Sequence, residues 1–132
     1  MPVFKDKILM ERLFGDLWTK LIKETALGKK LKENGISILF LVNEPEMSMF
    51  LDDKGPVFGQ EAGAKKSAIT MKMSGDTVHK YWLNQLNVPR ALALRQIKAK
   101  GPVSKVLQMM PLLKPGQELY PSYCERYSLP IE

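Results

Sequence analysis

His79 is the only histidine and Cys124 the only cysteine among the 132 residues. A single histidine excludes a multi-histidine metal site, and a single cysteine excludes both a Cys-x-x-Cys motif and an intramolecular disulfide. The carboxylates Glu44, Glu46, Asp52, Asp53 and Glu61 fall in turn- or loop-forming sequence, where they are expected for solvation. Gly55, Gly59 and Gly63 are not spaced as a phosphate-binding loop requires. His79, on a helix after Thr77, reads as solvent-exposed, and Cys124 as structural. No catalytic group, metal site or cofactor is expected, and the chain does not read as an enzyme.

What the residues do offer is apolar surface, concentrated between Ala68 and Leu113. Ile69, Met71 and Met73 alternate on one face of a strand. Ser74 then reads as an N-cap with Asp76 in the first turn, and Val78, Tyr81, Trp82 and Leu86 fall at helical spacing. Asn87-Val88-Pro89 reads as a turn before a short helical stretch at 91–94, and a lysine-alternating strand follows over 96–100. Pro102 suits the first position of a last helix, which Pro111 ends. In that helix Val103, Val106, Leu107 and Met110 share a side. With Trp82, Leu86, Leu92, Leu94, Met109 and their neighbours, they exceed what one amphipathic face needs. Methionine side chains repack around varied shapes, which suits the lining of an apolar pocket.

The elements that would position this region come first in the chain. Residues 6–33 read as one long helix with an apolar stripe of Ile8, Leu9, Leu13, Phe14, Leu17, Trp18, Leu21 and Ile22. Gly15 suggests a close backbone approach, and Asn34-Gly35 a C-terminal stop. An apolar strand over 36–43, an alternating strand from Met47 and a short one at 57–59 form an antiparallel meander. Residues 60–66 read as a polar loop, and residues 114–132, with Pro115, Gly116, Pro121 and Pro130, as an extended tail.

The net charge of +6 and pI near 9.4 arise from scattered lysines, without the exposed aromatics or motif of a nucleic-acid binder. Some of them, such as Lys98, Lys100, Lys105 and Lys114, could attract an acidic head group or make transient contact with an acidic membrane surface. No apolar run reaches the roughly 20 residues of a membrane span, and the N-terminus lacks a signal-peptide core. A cytoplasmic location is expected, since one lone cysteine fits a reducing compartment.

The segment Leu86–Gly101 (LNVPRALALRQIKAKG), together with Ser67–Gly75 and the order of elements, resembles the sterol carrier protein (non-specific lipid-transfer) domain. The resemblance covers about residues 6–113 and leaves 114–132 outside as a tail. Pro89 stands one residue later than in the family pattern, Arg95 replaces a glycine, so that turn is expected to differ, and Ala99 is smaller than the usual isoleucine. The resemblance implies an α+β fold, with helices covering a five-stranded, mostly antiparallel sheet. It also implies an apolar tunnel for a lipid-like ligand (a fatty acid, fatty acyl-CoA or sterol-like molecule). Trp82, Leu86, Leu92, Leu94, Ala99, Val103, Val106, Leu107 and Met110 are the residues expected to line it. The function expected is non-catalytic lipid binding or transfer. The alternative is an interaction or accessory module with a filled core, forming a homodimer through its tail. An empty pocket of about 300 Å3, the low end for ligand sites, would cost about 7 kcal/mol, so a bound ligand is expected in the isolated protein.

Overall fold

Asp6 caps the first helix, α1 (Lys7–Glu24), by accepting from the Leu9 N–H at 2.9 Å. The computed structural model describes residues 2–131. The inward face of α1 carries Met10, Leu13, Phe14, Leu17, Trp18 and Leu21, at the 3–4-residue spacing of a helix stripe. Ile8, expected in that stripe, is instead 58% exposed. The single helix expected over 6–33 is two. Thr25 leaves helical geometry, and its hydroxyl donates to the Leu21 carbonyl while accepting from the Leu27 N–H. A second helix, α2 (Leu27–Glu33), then folds back so closely that a Cβ on Gly28 would lie 2.9 Å from the Ile22 carbonyl.

Five strands follow: β1 (Ile38–Asn43), β2 (Met47–Asp52), β3 (Gly55–Phe58), β4 (Ile69–Ser74) and β5 (Lys98–Lys100), in the order β3-β2-β1-β4-β5. β1 and β4 run parallel and the other three pairings are antiparallel. Parallel strands need a crossover. Here it includes a short helix, α3 (Gln60–Ala64), where a polar loop was expected; its Ala62 is fully buried. Gly15 does permit a close approach, its Cβ position lying 3.3 Å from the Phe58 ring.

Ser74 caps α4 (Gly75–Trp82) as expected, accepting from the Thr77 N–H at 3.1 Å. Asn87 caps α5 (Val88–Ala93), with Pro89 in the first turn where no N–H is needed. α6 (Val103–Met109) passes into a 3-10 turn at Met110–Leu113, so Pro111 changes the helix type without ending the run. The largest correction concerns the tail. Residues Lys114–Arg126 form a helix, α7, which buries Gly116, Tyr120, Tyr123 and Cys124 against the core.

Arg95 yields a second correction. Its φ of 61° is the left-handed value that a glycine would supply. The Arg95 N–H donates to Leu92 and the Gln96 N–H to Ala91, which is the Schellman closure of α5. The turn is thus of the kind a glycine makes, despite the substitution. Arg95→Gly is expected to raise stability by about 1 kcal/mol, the lower end of the cost of this conformation for an L-residue. Urea unfolding midpoints would show it, and a lower midpoint for the variant would refute it.

Candidate functional site

The sheet presents two ladder rows to the helices. Met47, Val42 and Met73 form one across β2, β1 and β4; Met49, Phe40 and Met71 form the other. The registers put these six side chains on one face, and five are buried while Phe40 is half-buried. Phe14 and Trp18 of α1, and Val78, Tyr81 and Trp82 of α4, face them from above. Val106, Met109, Met110 and Leu113 of α6 and its 3-10 turn close a third side, at a spacing of 3, 1 and 3. Between these walls lies a cavity of ≈ 80 Å3 whose lining is almost wholly apolar. Six of the eight methionines line it.

That volume is well below the roughly 300 Å3 at which ligand pockets begin. At about 24 cal/mol per Å3, an empty cavity of ≈ 80 Å3 costs about 2 kcal/mol, which a folded domain can tolerate. Its walls are soft: an unbranched thioether with three rotatable bonds changes shape at little cost. The roof is stiffer. Trp82 packs edge-on to Trp18 at 5.3 Å and to Tyr81 at 5.2 Å, and lies 6.5 Å from Phe14 and 6.3 Å from Tyr120.

Of the nine residues expected to line a tunnel, the structure places Trp82, Val106 and Met110 at the cavity. Leu86 and Leu92 pack half-buried against the core elsewhere. Ala99 pairs with Met71 on the inner sheet face without reaching the cavity, and Val103 is half-buried outside it. Leu94 and Leu107 point outward, 56% and 39% exposed. The lining residues outside those nine include the strand methionines and the α1 aromatics. Their signal was the alternation Met47/Met49 and Met71/Met73, which marks one sheet face but not what covers it.

His79 corrects another expectation. It is only 3% exposed, with Nδ1 2.7 Å from the Tyr120 hydroxyl and Nε2 2.8 Å from the Pro130 carbonyl. A carbonyl only accepts, so Nε2 carries the proton and Tyr120 donates to Nδ1. Both ring nitrogens hold the C-terminal segment in place. Burial pushes the His79 pKa down, against smaller upward pulls from the Pro130 carbonyl and Asp76. Burial also pushes up the neighbouring Tyr120 phenol and the Cys124 thiol. Among the described residues no group of three or more His, Cys, Asp or Glu side chains could hold a metal.

The histidine gives a signed pH dependence. Its folded pKa lies below its unfolded value of about 6.5, so the unfolded chain takes up the proton first. The resulting stability is complete above pH 6.5 and is lost as pH falls below it, with a slope of at most about 1.4 kcal/mol per unit. Urea midpoints are expected to drop between pH 7.5 and 5.5, above the range where ordinary carboxylates titrate. A flat profile over that window would contradict this role.

No protein-family model matches the chain, and no curated protein sequence matches it. Solved structures do. Sterol carrier protein 2 of Yarrowia lipolytica (apo form) aligns with a TM-score of 0.62 at 19% identity, over 82% of this chain and 89% of that one. Sterol carrier protein domain 2 of Helicoverpa armigera aligns with 0.65 at 18% identity, over 83% and 89%. A ubiquinone synthesis protein described as UbiJ-SCP2 aligns with 0.58 at 13% identity, over 84% and 90%. The fold is therefore that of the sterol carrier protein 2 domains, α+β with a five-stranded mixed sheet.

Proposed function

We propose that this protein binds a hydrophobic, lipid-like ligand reversibly and without chemistry, in the space between the sheet and the helices. The observation that carries this reading is the apolar cavity walled by six methionines. Their rotamers let the space grow around an alkyl chain, and each methylene buried contributes about 0.8 kcal/mol. Likeness of fold to the sterol carrier protein 2 domains of Yarrowia lipolytica and Helicoverpa armigera supports this reading. A fatty acid, a fatty acyl-CoA or a sterol-like molecule fits this class.

Contact with an acidic membrane surface would use the helix side in this reading. Ala99 pairs with Met71, whose side chain is buried toward the cavity, so Lys98 and Lys100 alternate onto the opposite sheet face. Lys105 on α6 and Lys114 at the start of α7 are placed better. No helix among the described residues is long and apolar enough to cross a membrane.

Native mass spectrometry of the purified protein, combined with uptake of a fluorescent fatty acid, tests the reading. An adduct of lipid mass or saturable uptake is expected. Neither signal, under conditions that keep the chain folded, would overturn it. The small size of the cavity favours a second reading in that event: an accessory module with a filled core that pairs with itself or another protein. Sedimentation analysis would then show a dimer or a complex.

A further inference from the structure

A second hollow, of ≈ 200 Å3, lies where the end of α2 meets α6 and the 3-10 turn. Lys30, Asn34, Lys105 and Gln108 bring polar groups to it, over an apolar floor that includes Leu31. Met109 lines both this hollow and the inner cavity, so one buried side chain is their common wall. Along α6 and into the 3-10 turn, Val106, Met109 and Met110 face inward, while Lys105 and Gln108 face the outer hollow.

The outer hollow has a surplus of positive charge. Lys30 and Lys105 line it, and Lys29 and Lys32 lie on the same short helix. The carboxylate beside them, Glu33, is shared by Lys29 at 4.0 Å and Lys30 at 3.7 Å, and all three side chains are well exposed. Lys105 is half-buried, and its Nζ donates to the Asn34 carbonyl at 3.3 Å. Among the described residues this is the only side-chain hydrogen bond from residues 103–113 to another element. The wall between the two hollows is held to its neighbours by one long hydrogen bond and by the packing of Val106, Met109 and Leu113. Opened into one another, their volumes approach the roughly 300 Å3 at which ligand pockets begin.

We propose that the hollow between Lys30 and Lys105 is the head-group site for a single-chain anionic amphiphile, whose tail reaches the inner cavity past Met109. The proposal rests on the lipid-binding reading above and gives it a polarity: the charged end stays at the α2–α6 seam and the alkyl end lies against the sheet. A carboxylate there would meet two ammonium groups, while a neutral alcohol with the same tail would gain no charge pairing.

The test compares hexadecanoate with hexadecanol as displacers of Nile red, a neutral apolar dye, from the full chain and from the double variant Lys30→Gln, Lys105→Gln. Both changes lie toward the surface, so the fold should survive. Hexadecanoate is expected to compete about tenfold better than hexadecanol, and the double variant to erase that difference while hexadecanol binding stays the same. Met109→Ala should speed uptake of both. If both displacers bind equally in both proteins, or Met109→Ala leaves uptake unchanged, the head-group site and its gate are wrong while lipid binding stands. If neither the dye nor either displacer binds, the lipid-binding reading falls and takes this one with it.

Discussion

Removing residues 114–132 is expected to abolish cooperative unfolding, or to lower stability by at least about 4 kcal/mol. The reason lies in where α7 points its side chains. Tyr120 is fully buried, stacked 6.2 Å from Phe14 and tilted 6.3 Å from Trp82. Losing one such aromatic costs about 3–5 kcal/mol. The cut also leaves the buried Nδ1 of His79 without its 2.7 Å partner, at a further cost of about 1–3 kcal/mol. Tyr123 donates to Asp16 at 2.7 Å, so α1 loses a tie as well. Against a typical domain stability of about 5–15 kcal/mol, little would remain. Urea unfolding followed by near-ultraviolet circular dichroism measures this directly. A truncated chain that melts within 1 kcal/mol of the full one would show the helix to be an appendage.

That helix is also where sequence reasoning failed most clearly, and the cause is physical. Pro115, Gly116, Pro121 and Pro130 read as breakers in isolation. Pro115 occupies the first turn of α7, where no hydrogen bond is forfeited. Gly116 sits where a Cβ would lie 2.6 Å from the Trp82 ring, so it is there for close approach and not for a bend. Pro121 lies within the helix and forgoes one backbone bond, while its flank Tyr120 and the next turn's Tyr123 and Cys124 are buried. The spacing Leu113, Gly116, Tyr120, Tyr123, Cys124 and Tyr127 is helical, and was the available signal. Tertiary burial outweighed local propensity, which is a weak prior.

The strands were more legible because a strand buried on one face, such as β4, keeps a period of two in its sequence. The alternation at Met71 and Met73 located β4, and Ser74 located the start of α4. Missing was the third dimension. Nothing in the order of residues told that β1 pairs with β4 in parallel, and so that Met47 and Met73 flank Val42 in one row. Six methionines scattered from 47 to 110 in the sequence meet only through that register and the packing of α6. His79 was misread for the same reason. Its partners, Tyr120 and Pro130, are 41 and 51 residues away, and no local pattern predicts such bonds.

Trp82→Ala is expected to cost about 3–5 kcal/mol, and to make the protein a better receptor for apolar molecules than the wild type. The indole is 3% exposed and touches the rings of Phe14, Trp18, Tyr81 and Tyr120, so its neighbours cannot all collapse into the gap. Its removal leaves space joined to a cavity that already measures ≈ 80 Å3 and has almost no polar atom to attract water. Such a space stays dry and accepts an apolar guest. A guest at about a hundred times its dissociation constant returns about 2.7 kcal/mol of stability. Thermal melts of both proteins with and without saturating hexadecanol separate the two effects. The variant should melt well below the wild type alone and recover a larger part of the difference with ligand. Destabilisation of less than 1 kcal/mol would mean that the roof over the methionines is not built on Trp82. An equal ligand shift in the two proteins would mean that the ligand lodges away from the cavity.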